Sequence, residues 1–356
     1  MVDGLGNLKS LVATAHHNCA ILQDSSVVCW GDNQYGQSGG NAPTEGKNPT
    51  PMPVMMENEQ PLTGAVSLAV GFAHSCAVLQ NGQIACWGSN LCGQLGDQDA
   101  LQAGGTDSDG LKFFLNEKPI SNKALLVDGI TDAVQVSVGS PMGSEKFGFT
   151  CALLKTGEVR CWGITEFAGV GYGTWQKIKT NIDGIGCGSF ATPTPTKVMG
   201  VEKALNLSSG SEHSCITDLQ GLQKTIKCWG RNSAVHQNLG YGPDNKTSYE
   251  AKPVSLSGDI KQIAVGDRFT CALMSDKGVK CWGSNTHGQL GIPKDTLSSM
   301  IPVTVKDSEN SQIQLTGAKE LAVASVTGNG TACVLTDDHQ IKCWGDGKPC
   351  NKIIVE

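Results

Sequence analysis

Short apolar runs recur along the whole chain, separated by polar stretches rich in Gly, Asn and Pro. Val66-Ser67-Leu68-Ala69-Val70 and Ile260–Val265 are such runs, each followed by Gly, and their length and bounds read as strand. A second run follows, as in Cys151-Ala152-Leu153-Leu154. Next comes a turn at Asn81-Gly82, Thr156-Gly157 or Lys277-Gly278, and then a return strand such as Val159-Arg160-Cys161-Trp162. A Gly or Asn in the turn accepts the positive φ that a tight hairpin needs. Pro-containing runs at 51–56, 194–199, 252–256 and 301–305 signal a fourth strand. Pro has no amide to donate, so it suits an edge. Residues 351–356 (NKIIVE) align with this outer run, so the last unit is expected to be complete and the termini to meet.

The pattern repeats six times, at 8–39, 65–96, 133–163, 204–230, 260–291 and 318–345. Each copy has a Cys and, ten or thirteen residues on, Cys-Trp-Gly. The pairs are Cys19/Cys29, Cys76/Cys86, Cys151/Cys161, Cys215/Cys228, Cys271/Cys281 and Cys333/Cys343. A period of roughly 59 residues with four strands per copy predicts propeller blades. The expectation is one domain over 1–356, with repeats centred on Trp30, Trp87, Trp162, Trp229, Trp282 and Trp344. Trp-to-Trp steps of 75 and 67 residues leave no room for another full blade in 97–133 or 164–203, so six blades are expected and seven are the alternative.

The two cysteines of a pair fall opposite each other across the hairpin, within disulfide reach, at the Cα separation of about 4.5–5.5 Å usual for cross-strand partners. Buried free thiols are the alternative, and zinc is disfavoured because there is no CxxC or His cluster. The neighbouring tryptophans point to the other sheet face and are expected between blades. Cys92, Cys187 and Cys350 remain. A loop-to-loop bridge between Cys92 and Cys187 is plausible, with Cys350 then free or paired with another chain.

Composition narrows the function. A net charge of −6 argues against a nucleic-acid partner. Only 17% of residues are charged and 45 are Gly, the profile of a turn-rich all-β protein. No apolar run is long enough for a membrane-spanning helix. Disulfides require an oxidising place, so an extracellular, cell-surface or periplasmic location is expected. A removed leader or longer N-terminal portion then follows, through which a stalk or oligomer would form.

The stretch 269–291, with its apolar hairpin, Trp-Gly and Asn-x-x-Gly-Gln-Leu-Gly tail, resembles the RCC1-like repeat, named for the regulator of chromosome condensation. Asn90–Gly96 and Asn285–Gly291 match that tail; Asn33–Gly39 has Ser38 in place of Leu, and the third and sixth copies lack it. The Cys before Trp resembles a secreted bacterial branch of this superfamily, which includes extracellular propellers. The resemblance implies an all-β, six-bladed RCC1-like β-propeller with four-stranded blades and intra-hairpin disulfides.

Function is expected on the side of the variable loops, at 97–120, 139–149, 163–194 and 231–250. Trp175, outside the repeats, is a candidate sugar-stacking or protein-anchoring residue, with Tyr172, Phe167, Tyr35, Tyr241 and Phe113 as weaker ones. The alternative is that Trp175 covers its own loop. Asp97, Asp99, Asp107 and Asp109 fail the EF-hand spacing and read as a solvated acidic loop. His17, His74 and His213 recur near the first Cys, which implies a structural role. No G-x-S-x-G, H-E-x-x-H, Walker or Rossmann motif appears, so no catalytic residue, cofactor or metal is expected. The expected function is an adhesin-like or fibre-tip binding module for a glycan or protein. Alternatives are a secreted enzyme inhibitor, resembling β-lactamase-inhibitor propellers, and an intracellular RCC1-like scaffold or exchange factor.

Overall fold

The computed structural model describes residues 5–40, 46–97, 101–106, 112–116, 119–140, 147–164, 176–180, 190–233, 235, 237–243, 246–256, 258–307, 313–326 and 329–346. The chain divides into two compact units, 1–199 and 200–356. Each holds three blades.

In the first unit, blade 1 has strands Leu8–Ala13, His17–Leu22, Val27–Asp32 and Lys47–Pro53. Blade 2 has Ala65–Val70, His74–Leu79, Ile84–Ser89 and Ile120–Leu126. Blade 3 has Ala133–Gly139, Phe149–Leu154, Val159–Ile164 and Phe190–Lys197. In the second unit, blade 4 has Ala204–Ser209, His213–Gln220, Gln223–Gly230 and Ser248–Pro253. Blade 5 has Ile260–Val265, Phe269–Met274, Val279–Ser284 and Ser298–Thr304. Among the described residues blade 6 has three strands, Ala318–Val326, Asn329–Thr336 and Ile341–Gly345; NKIIVE, expected as its fourth, lies outside them. We call the strands A to D in chain order.

The disulfide expectation holds in all six hairpins. The bonds are Cys19–Cys29, Cys76–Cys86, Cys151–Cys161, Cys215–Cys228, Cys271–Cys281 and Cys333–Cys343. In each the Cα atoms are 4.1 Å apart. That is closer than the separation expected from the sequence, because the pair is of the narrow, non-hydrogen-bonded kind and the bridge draws the strands together. Ten of the twelve cysteines are wholly buried; Cys333 and Cys343 are less covered. Cys86 is held on both sides, by Cys76 across the hairpin and by Leu125 of strand D. It packs in the apolar cluster shared by blades 2 and 3, so it is a structural cross-link and not a ligand contact. The thirteen-residue spacing in blade 4 is absorbed by longer strands that pair as far as Gln220 opposite Gln223.

The Cys-Trp-Gly triplet follows from the C–D pairing. That ladder shifts register at the Trp, between Cys29 and Gly31, Cys161 and Gly163, Cys228 and Gly230, and Cys281 and Gly283. Such a bulge turns the strand, and the next residue has φ between +103° and +122° in these four blades. In blade 2 the shift falls at the same place, between Cys86 opposite Leu125 and Gly88 opposite Ser121. A Cβ on Gly88 would lie 2.4 Å from the carbonyl oxygen of Ala73. Only Gly meets both demands.

Strand D ends on the same contact in five blades. Buried Val54, Val127, Val198, Val254 and Val305 donate their N–H groups to the strand C carbonyls of Val27, Ile84, Val159, Ile226 and Val279, each two residues before the second Cys. The Pro-rich runs are strand D as expected, but the strands begin several residues earlier, at Lys47, Phe190, Ser248 and Ser298. Strand D of blade 2, Ile120–Leu126, contains no Pro and so gave no signal; Met55–Met56, the end of the first Pro-containing run, pairs parallel outside it.

Two readings need correction. At Lys277-Gly278 the positive φ belongs to Lys277, at 67°, because the B–C turn closes with Met274 N–H to the Gly278 carbonyl. The long segments after blades 2 and 3 are not only loops. Gln176–Thr180 pairs with Phe190–Ala191, Lys112–Asn116 runs parallel to it, and Leu101–Thr106 pairs with Lys112–Asn116, widening the blade 3 sheet to seven strands. Pairing with Phe190–Lys197 stops before Pro193 and Pro195, which have no amide to offer. These strands extend an existing blade instead of making a seventh.

Candidate functional site

The motifs most visible in the sequence are absorbed by the joints between blades. In the Asn-x-x-Gly-Gln-Leu-Gly tail, the side-chain carbonyls of Asn90 and Asn285 accept from the backbone of Leu95 and Leu290. Gln94 and Gln289 accept in the same way from Cys92 and His287. This wiring offers the Gln backbone carbonyl to the next blade. There the indole N–H donates to it: Trp87 to Gln37 at 2.9 Å, Trp162 to Gln94 at 2.9 Å and Trp344 to Gln289 at 3.0 Å. The expected inter-blade role of the tryptophans is met at these joints.

The recurring histidines complete the joint. His17 Nε2 lies 2.6 Å from Ser75 Oγ, His74 Nε2 3.0 Å from Thr150 Oγ1, and His213 Nε2 2.7 Å from Thr270 Oγ1. The Ser75 and Thr150 hydroxyls donate onward to the Gln37 and Gln94 carbonyls. His17 and His74 must therefore donate from Nε2, which leaves Nδ1 as a bare lone pair. Burial lowers the pKa of all three to about 3, so they are neutral structural groups, as their repeated position implies.

Variable chemistry appears instead in the A–B loops. In the first unit Phe72 and Phe147 hold the same loop position in blades 2 and 3, two residues before strand B, and both are half-buried. His16 of blade 1 stacks on Phe72 with ring centroids 3.7 Å apart. Its Nδ1 lies 3.3 Å from Asp32, which Lys47 also pairs. Phe72 N–H donates to Ser140 Oγ at 2.9 Å, fixing the ledge from blade 3. A pinned aromatic ledge with part of its surface open suits stacking on a sugar face or an apolar side chain.

In the second unit the same position carries Ser211 and Asp267, whose side chains hydrogen-bond each other. The adjacent Glu212 carboxylate is almost fully buried, with Arg231 Nη1 3.0 Å from one oxygen and Arg268 Nε 3.9 Å from the other. Burial pushes its pKa up, against the two guanidinium groups. The charges balance, so this set orders the loops without presenting a free charge. A cavity of about 290 Å³ lies elsewhere in the unit, beside strand C of blade 6. Trp344, Ile292 and Leu315 line it, with Lys294, Lys306 and an Asp307–Lys342 pair.

The sequence-selected residues fare unevenly. Trp175, Tyr172 and Phe167 lie outside the described residues, and only the backbone of Phe113 is described. Tyr35 is half-buried in the blade 1 tail. Tyr241 packs on the blade 4–5 core and donates its hydroxyl to the Cys228 carbonyl, so it is occupied internally. Cys92 is buried and disulfide-bonded, while Cys187 and Cys350 lie outside the described residues. Asp97 is buried; Asp99, Asp107 and Asp109 are outside. His16, Phe72 and Phe147 were missed. Their signal was the contrast at one loop position between Phe72 and Phe147 and, in other copies, Ser211, Asp267 and Asn329.

These features define an all-β, six-bladed propeller with four-stranded blades and a disulfide in each hairpin. Three copies, at 8–37, 65–94 and 260–289, match the model of the regulator of chromosome condensation (RCC1) repeat. The chain is similar to yeast RCC1 (Prp20), solved bound to Kap60, with a TM-score of 0.68 and 19% identity over 96% of this chain and 71% of that one. It is also similar to human WBSCR16, with a TM-score of 0.64 and 17% identity over 93% and 72%. Among curated proteins it is 24% identical to the ultraviolet-B receptor UVR8 of Arabidopsis thaliana over 74% of this chain and 51% of the receptor. It is 25% identical to the mitochondrial RCC1 domain-containing protein RUG3 of the same plant over 91% and 62%. The chain thus spans less than two thirds of either relative.

Proposed function

We propose that the chain is an extracellular or cell-surface binding module that grips a glycan or a protein through its A–B and C–D loops. The observation that carries this reading is the aromatic ledge of Phe72 and His16, with Phe147 at the equivalent loop position of blade 3, mounted on a scaffold cross-linked by six hairpin disulfides. Disulfides at this density suit an oxidising compartment. Stiff blades with differing loops suit recognition more than catalysis, and the recurring histidines are held neutral inside the joints. Trp175, Tyr172 and Phe167 remain candidate anchors on the C–D side.

Glycan arrays and cell-surface binding screens test this, run with the intact chain and with Phe72→Ala. Binding that the variant lowers at least tenfold, with unchanged thermal stability, supports the ledge. Unaltered binding by Phe72→Ala sinks the ledge as the site. A second reading, an intracellular protein-binding scaffold or exchange factor, draws on the relatives, since one is named as mitochondrial and a solved neighbour is bound to Kap60. Alkylation of the unfolded, unreduced protein separates the two. One to three free thiols favour the extracellular reading, and some fifteen favour the intracellular one.

A further inference from the structure

We propose that the chain carries a built-in acid-sensitive joint: the blade junctions closed by a histidine–hydroxyl pair loosen on acidification, while the junction closed by Phe269 and Ala332 does not. The observation is a pairing that recurs at three junctions and is replaced at one. Where strand B of one blade begins with His, the residue before the first Cys of the next blade is a hydroxyl: His17 with Ser75, His74 with Thr150 and His213 with Thr270. Where strand B begins with Phe269, the matching residue of the next blade is Ala332, and both lie in one apolar cluster. The indole-to-carbonyl bond persists at that junction, from Trp344 to Gln289. At the blade 5–6 junction an apolar closure thus stands on the same frame that carries the polar one elsewhere.

The proton inventory makes the polar version acid-sensitive. At blades 1–2 and 2–3 the hydroxyl proton goes to the Gln carbonyl and the Nε2 proton to the hydroxyl. The remaining ring nitrogens, Nδ1 of His17, His74 and His213, are buried with no hydrogen-bond partner. Protonating Nδ1 would create a buried cation whose new N–H meets no acceptor. The His74 ring is closed in by Gly148, where a Cβ would lie 2.9 Å from Nδ1. His17 feels His74 and His16, which further oppose its charging, and Asp32, which favours it weakly. For His74 and His213 burial alone acts. Glu212, next to His213 in the chain, pairs with Arg231 and Arg268.

The folded-state pKa values lie below the unfolded value. The unfolded or opened joint therefore binds more protons between pH about 6.5 and about 3, and stability is complete above that window and is lost as pH falls through it. Each joint's opening constant should rise up to about tenfold per pH unit there.

Hydrogen exchange of the intact chain at pH about 7 and about 5, on either side of the unfolded His value, tests this once corrected for intrinsic rates. Peptides covering 17–22, 74–79 and 213–220 should lose protection, and the one covering 331–336 should keep it. Equal loss at all four overturns the proposal. The paired variants H17F/S75A and H74F/T150A, which copy the Phe269/Ala332 closure, should flatten the response at their own joints. A folded variant with an unchanged pH response also overturns it, and should either fail to fold, the wild-type peptide comparison still decides.

Discussion

At the scale of single residues, the chain spends its glycines where backbone approaches backbone. Gly88, after Trp87, has φ +109° and leaves no room for a Cβ beside the Ala73 carbonyl. Gly129 has φ +71° and open space around it. Alanine at Gly129 should therefore cost only the left-handed conformation, about 1–2 kcal/mol. Alanine at Gly88 adds a clash that only a shifted strand relieves, and should cost clearly more. Urea unfolding of both variants checks this; equal losses would mean that the bulge yields easily. The tryptophans allow a second contrast. Trp162 Nε1 has the Gln94 carbonyl as partner, whereas Trp282 Nε1 is buried without one. Phenylalanine at 162 should thus cost about 1 kcal/mol more than at 282, the net worth of one hydrogen bond. The difference in unfolding free energy between the two variants reads it directly.

At the scale of elements, the hairpin and its disulfide were legible because a period-two strand and a fixed ten-residue spacing leave one register for the pair, as at Cys76 and Cys86. Inner and middle strands followed for the same reason. The second neighbour of Cys86, Leu125, was not legible, because strand D of that blade arrives from a distant segment. The fourth strand was legible only where Pro marked it, as at Pro53 and Pro253. Ile120–Leu126 lacks that mark and is placed by what its backbone pairs with, which is a long-range fact. The strands at 101–106, 112–116 and 176–180 were not legible either, since Gly-rich LQAGGT has little strand propensity of its own and gains its place from pairing with Lys112–Asn116. The His–hydroxyl joints were half legible: repetition gave a structural role, but the partner lies 57 to 76 residues away and no local pattern names it. The ledge of Phe72 and His16 was missed for a related reason, because it arises from two blades and is read only once both loops are placed together.

At the scale of the whole molecule, the scaffold couples redox state to folding. The twelve hairpin cysteines are bonded across strand pairs, and ten of them are wholly buried. A reductant must reach a sulfur to exchange with it, so access requires a blade to open. The native protein should then resist a mild thiol reductant, with exchange beginning at Cys333–Cys343, whose residues are the least covered of the six pairs. Each bridge closes a loop of ten or thirteen residues, for which the chain-entropy model gives about 3 kcal/mol. Full reduction in denaturant should lower the refolded stability by several times that amount, or prevent refolding. Timed alkylation with peptide mapping follows the order of bond loss. Uniform reduction of all six pairs without denaturant would mean that the blades open together and often, and the loops could not then be regarded as mounted on a rigid frame. Ordered reduction from blade 6 inward would instead mark that blade as the weak end of the second unit, and would leave the aromatic ledge of the first unit on fully cross-linked blades.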